Sequence, residues 1–134
     1  MLDVTCRALN GEGVSAAVLH GSAAQRAEVV KRFISPAAGA GGLQVLLLNA
    51  TADCSGLSLV VANHLFVLDP VMSPATLQQL CGRISRQGQT KPCAIYHVIS
   101  AGSVDEGLVM IRSKRQGNVK EELSVNEVTK LLSQ

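Results

Sequence analysis

Aromatic residues are almost missing from this chain. Phe33, Phe66 and Tyr96 are the whole set and tryptophan is absent, so a core has to be assembled from Val, Leu, Ile and Ala. Excess charge of one sign is missing too. The 12 Lys+Arg and 10 Asp+Glu leave a net charge of +2, too little for bulk electrostatics to announce a nucleic-acid partner. Any such contact depends on where single charges stand. The cysteines (Cys6, Cys54, Cys81, Cys93) form no C-x-x-C pair and have no histidine at zinc spacing. That argues against a zinc module or a disulfide framework and suits buried thiols in a reducing compartment. No apolar run approaches the ~20 residues of a membrane helix, and no signal-peptide pattern is found at the amino end. An intracellular protein with no membrane partner is expected.

What is present describes a folded domain. The chain is 47% hydrophobic and 16% charged, outside the range of disordered sequences, and 134 residues are enough for one domain with its own core. Near-continuous apolar stretches fall at Ala16–Leu19, Val45–Leu48, Leu65–Leu68 and Ala94–Ile99, the pattern of strands covered on both faces in a parallel sheet. Helix signals lie between them. Ser22-Ala-Ala-Gln25 and Ser103-Val-Asp-Glu106 fit capping boxes. After the first, Ala23, Ala27, Val30 and Ile34 share a face with Phe33 beside them; after the second, Val104, Leu108 and Ile111 do so. Lys114 and Arg115 then lie near the favourable negative pole. Strand–helix alternation at this spacing predicts an α/β domain. The stretch "SPAAGAGG" (35–42) predicts a loop. Residues 116–134 predict a polar connection and a short last helix through Val128, Leu131 and Leu132.

The chemistry concentrates in "QLCGRISRQGQTKP", residues 79–92. Ser73-Pro74 predicts a helix start and Gly88 a stop. Leu77, Leu80, Cys81 and Ile84 make one apolar stripe, which places Gln79, Arg83 and Arg86 on the opposite side. The guanidiniums then stand about one turn apart, close enough to converge on one anion. Two solvated arginines on a polar face is the alternative that spacing alone leaves open. The three histidines, His20, His64 and His97, have no accompanying nucleophile or metal spacing and read as structural. Asp105-Glu106 fits helix-start electrostatics better than acid catalysis.

The stretch resembles the last motif of the helicase-like ATPases of the Swi/Snf type in superfamily 2, through Gln79, Gly82-Arg83, Arg86 and Gly88-Gln89. Other segments resemble the same family in the same order. "MLDVTCRAL" resembles the helix after the first strand of the second RecA-like lobe. "VLHGSAAQRAEVVKRF" resembles the next strand, turn and helix, with Gly21, Ser22, Arg26 and Phe33 in place. "VLLLNATADCSGLSLVVANHLFVLDP" resembles the following motif, with Gly56-Leu57 and Asp69-Pro70, and "YHVISAGSVDEGL" the closing strand and helix. The resemblance covers residues 1–115 and implies a RecA-like three-layer α/β lobe with a mostly parallel sheet. It also implies that the lobe's first strand is missing, which would leave unpaired backbone in mid-sheet.

The resemblance further implies a role. In such motors ATP lies between two lobes, the first holding Mg2+-ATP and the second supplying arginine fingers. By motif position Arg83 and Arg86 are the fingers, with Gln79, Gly82 and Gly56 at the nucleotide side. Thr51, Ser55 and Ser58 in "TADCSGLS" belong to a loop contacting the DNA phosphate backbone, where short residues expose amides. Departures are present. The family Gly-Gly pair is Asp53-Cys54 here, its Asn is Ser58, its Trp-Asn is Met72-Ser73, and the His before the second arginine is Ser85. No G-x-x-x-x-G-K-[ST] occurs, and the single Asp-Glu pair, Asp105-Glu106, stands at a helix start rather than in a Walker-type box, so no metal or nucleotide is expected to be held without a first lobe, and the chain alone is not expected to hydrolyse ATP. The implied partners are that lobe and double-stranded DNA or a nucleosome, in the nucleus. The relaxed loop and "GQTKP" lean toward the ubiquitin-ligase branch and its ubiquitin machinery. A non-catalytic protein-interaction module derived from such a lobe is the alternative.

Overall fold

The structure is a computed structural model and describes residues 1–35, 42–50, 53, 56–69 and 73–109. The chain divides into two compact units after Ser55.

The first unit runs α1 (Leu2–Gly11), β1 (Ala16–Val18), α2 (Ala23–Ile34), β2 (Val45–Leu47). β1 and β2 pair in parallel, Ala16 opposite Val45 and Val18 opposite Leu47. The half-buried residues of α1 are Leu2, Thr5, Cys6 and Leu9, a helical stripe that packs on β1. Val14, Ala16, Leu19, Leu43 and Leu47 form the core, all aliphatic, as the shortage of aromatics requires. Ser22 caps α2 with the reciprocal Gln25 bond expected of its sequence. The covered face of α2 differs from the expected one. Arg26, Val29, Val30 and Phe33 are half-buried, while Ala23, Ala27 and Ile34 are exposed. Alanines bury little area, so the larger Val29 and Phe33 rotate the helix toward the strands it covers.

The outer edge of β1 is not left open. With Ala16 opposite Val45, Ser15 and Ala17 direct their peptide groups toward β2, so those of Ala16 point away from it. Asn10 meets both, its Nδ2 donating to the Ala16 carbonyl at 3.1 Å and its Oδ1 accepting from the Ala16 N–H at 3.1 Å. One side-chain amide thus copies one residue of a neighbouring strand. His20 Nδ1 lies 3.0 Å from the Val18 carbonyl on the same edge. The expectation of unpaired backbone is therefore corrected at Ala16, where a side chain from α1 does the pairing.

The second unit contains β3 (His64–Val67), α3 (Pro74–Ile84) and β4 (Ala94–His97). β3 and β4 are parallel, Phe66 opposite Tyr96, and α3 packs on β3 over Leu59, Val67, Leu80 and Ile84. Phe66 and Tyr96 stack with ring centroids 4.8 Å apart, and His64 stacks on Tyr96 at 5.7 Å. Its Nδ1 lies 3.2 Å from the Tyr96 hydroxyl. Ser73 accepts from the Thr76 N–H at 3.2 Å, with Pro74 in the first turn, as predicted. The helix stops at Ile84 rather than running to Gly88.

The second capping box is not formed. Ser103 Oγ donates to the Ser100 carbonyl at 2.7 Å and Glu106 accepts from the Gly102 N–H at 2.9 Å, so both side chains satisfy the preceding turn instead of the first N–H groups of the helical stretch 104–109. Val104 and Leu108 are exposed there, against the expected stripe, and Ile111 lies outside the described residues. So do the predicted last helix (Val128, Leu131, Leu132), Lys114, Arg115 and most of the 35–42 loop. Among the described residues no helix is long and apolar enough to cross a membrane.

The expected buried thiols are buried unequally. Cys6 and Cys81 are half-buried, and Cys93 is exposed. Burial pushes the Cys81 thiol pKa up, opposed by a backbone hydrogen bond and reinforced by nearby Cys93. A raised pKa means less thiolate at neutral pH, and the thiolate is the reactive form. Iodoacetamide at neutral pH is therefore expected to alkylate Cys93 well before Cys81, with Cys81 catching up under alkaline or unfolding conditions. Peptide mass spectrometry over a labelling time course checks this, and equal rates at neutral pH would contradict the burial assigned to Cys81.

Candidate functional site

Apolar Leu80 and Ile84 (6% and 3% exposed) fix how α3 is turned about its axis. The exposed stripe is consequently Ala75, Gln78, Gln79 and Gly82. Arg83 lies at the border of that stripe, half-buried, and its Nε is a buried donor with no hydrogen-bond partner among the described residues. Arg86 lies beyond the helix and is exposed. It opens a turn closed by the Gln89 N–H donating to the Arg86 carbonyl at 2.9 Å. Gly88 in that turn has φ +103°, a conformation other residues adopt at a cost. The expected single helical face is thus corrected. Gln79 and Gly82 share it, Arg83 flanks it, and Arg86 reaches the neighbourhood from a turn.

Gly82 is in the helix interior, where glycine costs about 0.5–1 kcal/mol relative to alanine. Nothing within 4 Å would meet a Cβ built on it, so no described part of the chain requires the bare backbone. Gly82→Ala is expected to raise the stability of the chain by about 0.5–1 kcal/mol, measured by urea unfolding. A loss of stability would show that packing inside the chain explains the glycine.

Two ties hold the end of α3, and helical periodicity carries no trace of them. Leu59 N–H donates to the Arg83 carbonyl at 3.0 Å. Gln89 Nε2 donates to the carbonyls of Ala62 (2.8 Å), Val60 (3.0 Å) and Ile84 (3.0 Å), while its Oε1 accepts from the Lys91 N–H at 3.0 Å. The available signal was a glutamine placed between a turn glycine and a buried strand.

Of the predicted DNA-loop residues, Thr51 and Ser55 lie outside the described residues. Ser58 and Gly56 are exposed, Gly56 with φ +78°. Asp53, which stands in the family's Gly-Gly position, turns its carboxylate inward. It pairs with Arg26 at 3.1 Å and accepts from the Asn49 N–H at 3.0 Å. Its charge is thereby largely neutralised within the chain. Among the described residues no group of three or more His, Cys, Asp or Glu could hold a metal ion.

The helicase conserved C-terminal domain family matches residues 1–88. The chain belongs to that family. This helicase lobe is 36% identical over 92 residues to a DNA repair and recombination protein RAD54-like of Drosophila virilis, covering 69% of the chain and 11% of that protein. A RAD54-like protein of Drosophila grimshawi is 35% identical over 92 residues, again 69% of the chain and 11% of the relative. The lobe therefore spans about a tenth of the length of these curated relatives. Its fold is similar to the C-terminal part of the Fun30 ATPase domain, with a TM-score of 0.66, 21% identity and coverage of 98% of the chain and 41% of the other. The helicase lobe is an α/β, RecA-like domain with parallel strands, of the Swi/Snf type. The lean toward the ubiquitin-ligase branch draws nothing from these relatives.

Proposed function

We propose that this lobe is the second motor lobe of an ATP-dependent DNA translocase, supplying Arg83 and Arg86 as arginine fingers to ATP held with Mg2+ by a separate first lobe. The observation that carries the reading is the buried, unpartnered Nε of Arg83 beside Gly82, whose missing side chain serves no packing. A buried donor without a partner costs about 1–3 kcal/mol, which an incoming acceptor would recover. A guanidinium stays charged, and its fork matches phosphate oxygens. In the first lobe's company it would stabilise charge developing in phosphoryl transfer. Gln79, on the exposed stripe, would orient the nucleotide, and Gly82 would admit it closely; Gly56 belongs to the same side by motif position.

The relatives' names concern DNA repair and recombination, which supports double-stranded DNA, or a nucleosome, as the partner and the nucleus as the location. Thr51, Ser55 and Ser58 would meet the phosphate backbone. The inward-turned Asp53 supports this, since its charge faces Arg26 rather than an approaching phosphate. The test joins this lobe to the first lobe of a RAD54-like relative and measures DNA-stimulated ATP hydrolysis with Arg83→Ala and Arg86→Ala. Unchanged rates in both would remove the finger assignment. If the lobe then captured a protein partner and bound no DNA, it would be a non-catalytic interaction module.

A further inference from the structure

The Gly-Gln that closes the arginine motif has no role in the reading above, yet Gln89 makes more side-chain bonds than any neighbour. Its Nε2 serves three carbonyls with two N–H groups, so one bond is shared. Those acceptors belong to two places. Ile84 is the last residue of α3, immediately after Arg83, whereas Val60 and Ala62 lie in the segment leading to β3. The Ile84 carbonyl is one of the helix-end acceptors that α3 cannot satisfy itself. The Gln89 backbone N–H holds the Arg86 carbonyl, closing the turn that carries the second arginine. On its other side Oε1 fixes the Lys91 N–H. A single residue thus pins the peptides next to Arg83 and at Arg86 against one common frame.

From this geometry we infer that Gln89 is the positioning residue of the arginine pair, setting the spacing at which both guanidiniums meet one phosphate. It touches no substrate and acts through the backbone of Ile84 and Arg86. The inference rests on the finger assignment proposed above. Its chemistry is specific. An amide offers donors to three carbonyls and an acceptor to one N–H, whereas a carboxylate of the same shape keeps the acceptor and turns oxygen lone pairs on the three carbonyls.

The test uses this lobe fused to a first lobe, comparing Gln89→Glu and Gln89→Ala with Arg83→Ala and Arg86→Ala. Misplacement by about an ångström costs up to about a hundredfold. At neutral pH kcat is therefore expected to fall about ten- to hundredfold in both Gln89 variants, while the KM for ATP stays within about twofold, because ground-state binding belongs mainly to the first lobe. Gln89→Glu should recover part of its deficit as the pH is lowered, since a protonated carboxyl can donate to a carbonyl again; Gln89→Ala should not. Wild-type kcat in Gln89→Glu alongside slow Arg83→Ala and Arg86→Ala overturns the positioning role and leaves the fingers standing. Wild-type rates in both arginine variants overturn the fingers and this inference with them. Should Gln89→Ala fail to fold, hydrogen exchange in the unaltered lobe decides: slow exchange of the Gln89 side-chain amide and the Lys91 N–H supports the clamp, and exchange at the rate of free amides overturns it.

Discussion

Arg83→Ala, in a motor that joins this lobe to a first lobe, is expected to lower kcat for ATP hydrolysis by about 10³-fold or more, the scale of a lost arginine finger. The same change is expected to leave the thermal stability of the lobe unchanged or slightly raised. Both halves follow from one atom. Nε of Arg83 is buried and has no partner among the described residues, so truncation forfeits no hydrogen bond there and removes a desolvated donor worth about 1–3 kcal/mol of penalty. Arg83→Lys retains the charge but not the planar fork, and its rate should stay near that of alanine. Steady-state kinetics with thermal unfolding of the same variants separates the possibilities. A melting temperature that fell in step with kcat would make Arg83 a structural residue, with its guanidinium supporting the helix end and nothing more.

The second large effect belongs to Asn10. Asn10→Leu keeps the side-chain shape but offers Ala16 neither acceptor nor donor. Ala16 is 8% exposed, so water does not readily replace the two lost bonds. The expected cost is about 1–3 kcal/mol, read as a lower urea midpoint with an unchanged slope. Asn10→Asp tests the chemistry more closely. Its carboxylate still accepts from the Ala16 N–H but sets an oxygen against the Ala16 carbonyl. The variant should be destabilised at neutral pH and regain stability as acid protonates the carboxyl, because only the protonated form can donate. Equal stability of Asn10→Leu and the unaltered chain would show that the edge of β1 is satisfied by solvent.

Much of the fold is legible because it is local. Ser22 with Gln25 and Ser73 with Pro74 fix two helix starts within one turn, and apolar runs at 16–19, 45–48, 65–68 and 94–99 mark the four strands among the described residues to within two residues at each end. The misjudged points have different causes, some distant in sequence and some local. Gly88 reads as a helix stop, but the end of α3 is set by Leu59 and Gln89 bonding its last carbonyls. Ser103 fits a capping pattern, yet Ser100 competes for its hydroxyl. Apolarity alone gives Ala23 and Ala27 the same weight as Val29 and Phe33 and so misplaces the covered face of α2. In the candidate site, Arg83 and Arg86 were identifiable by motif. Their support was not, because Gln89 reaches back to Val60 and Ala62 across 29 and 27 positions, and periodicity carries no information at that range.

One short bond gives the lobe a mechanical property. Ser58 belongs to the proposed DNA loop, and its neighbour Leu59 donates directly to the carbonyl of Arg83. On the proposed reading, a pull on that loop would reach the peptide of Arg83 after one peptide link and one hydrogen bond. Track and engine would then share an axle, and slack in either would be felt by the other.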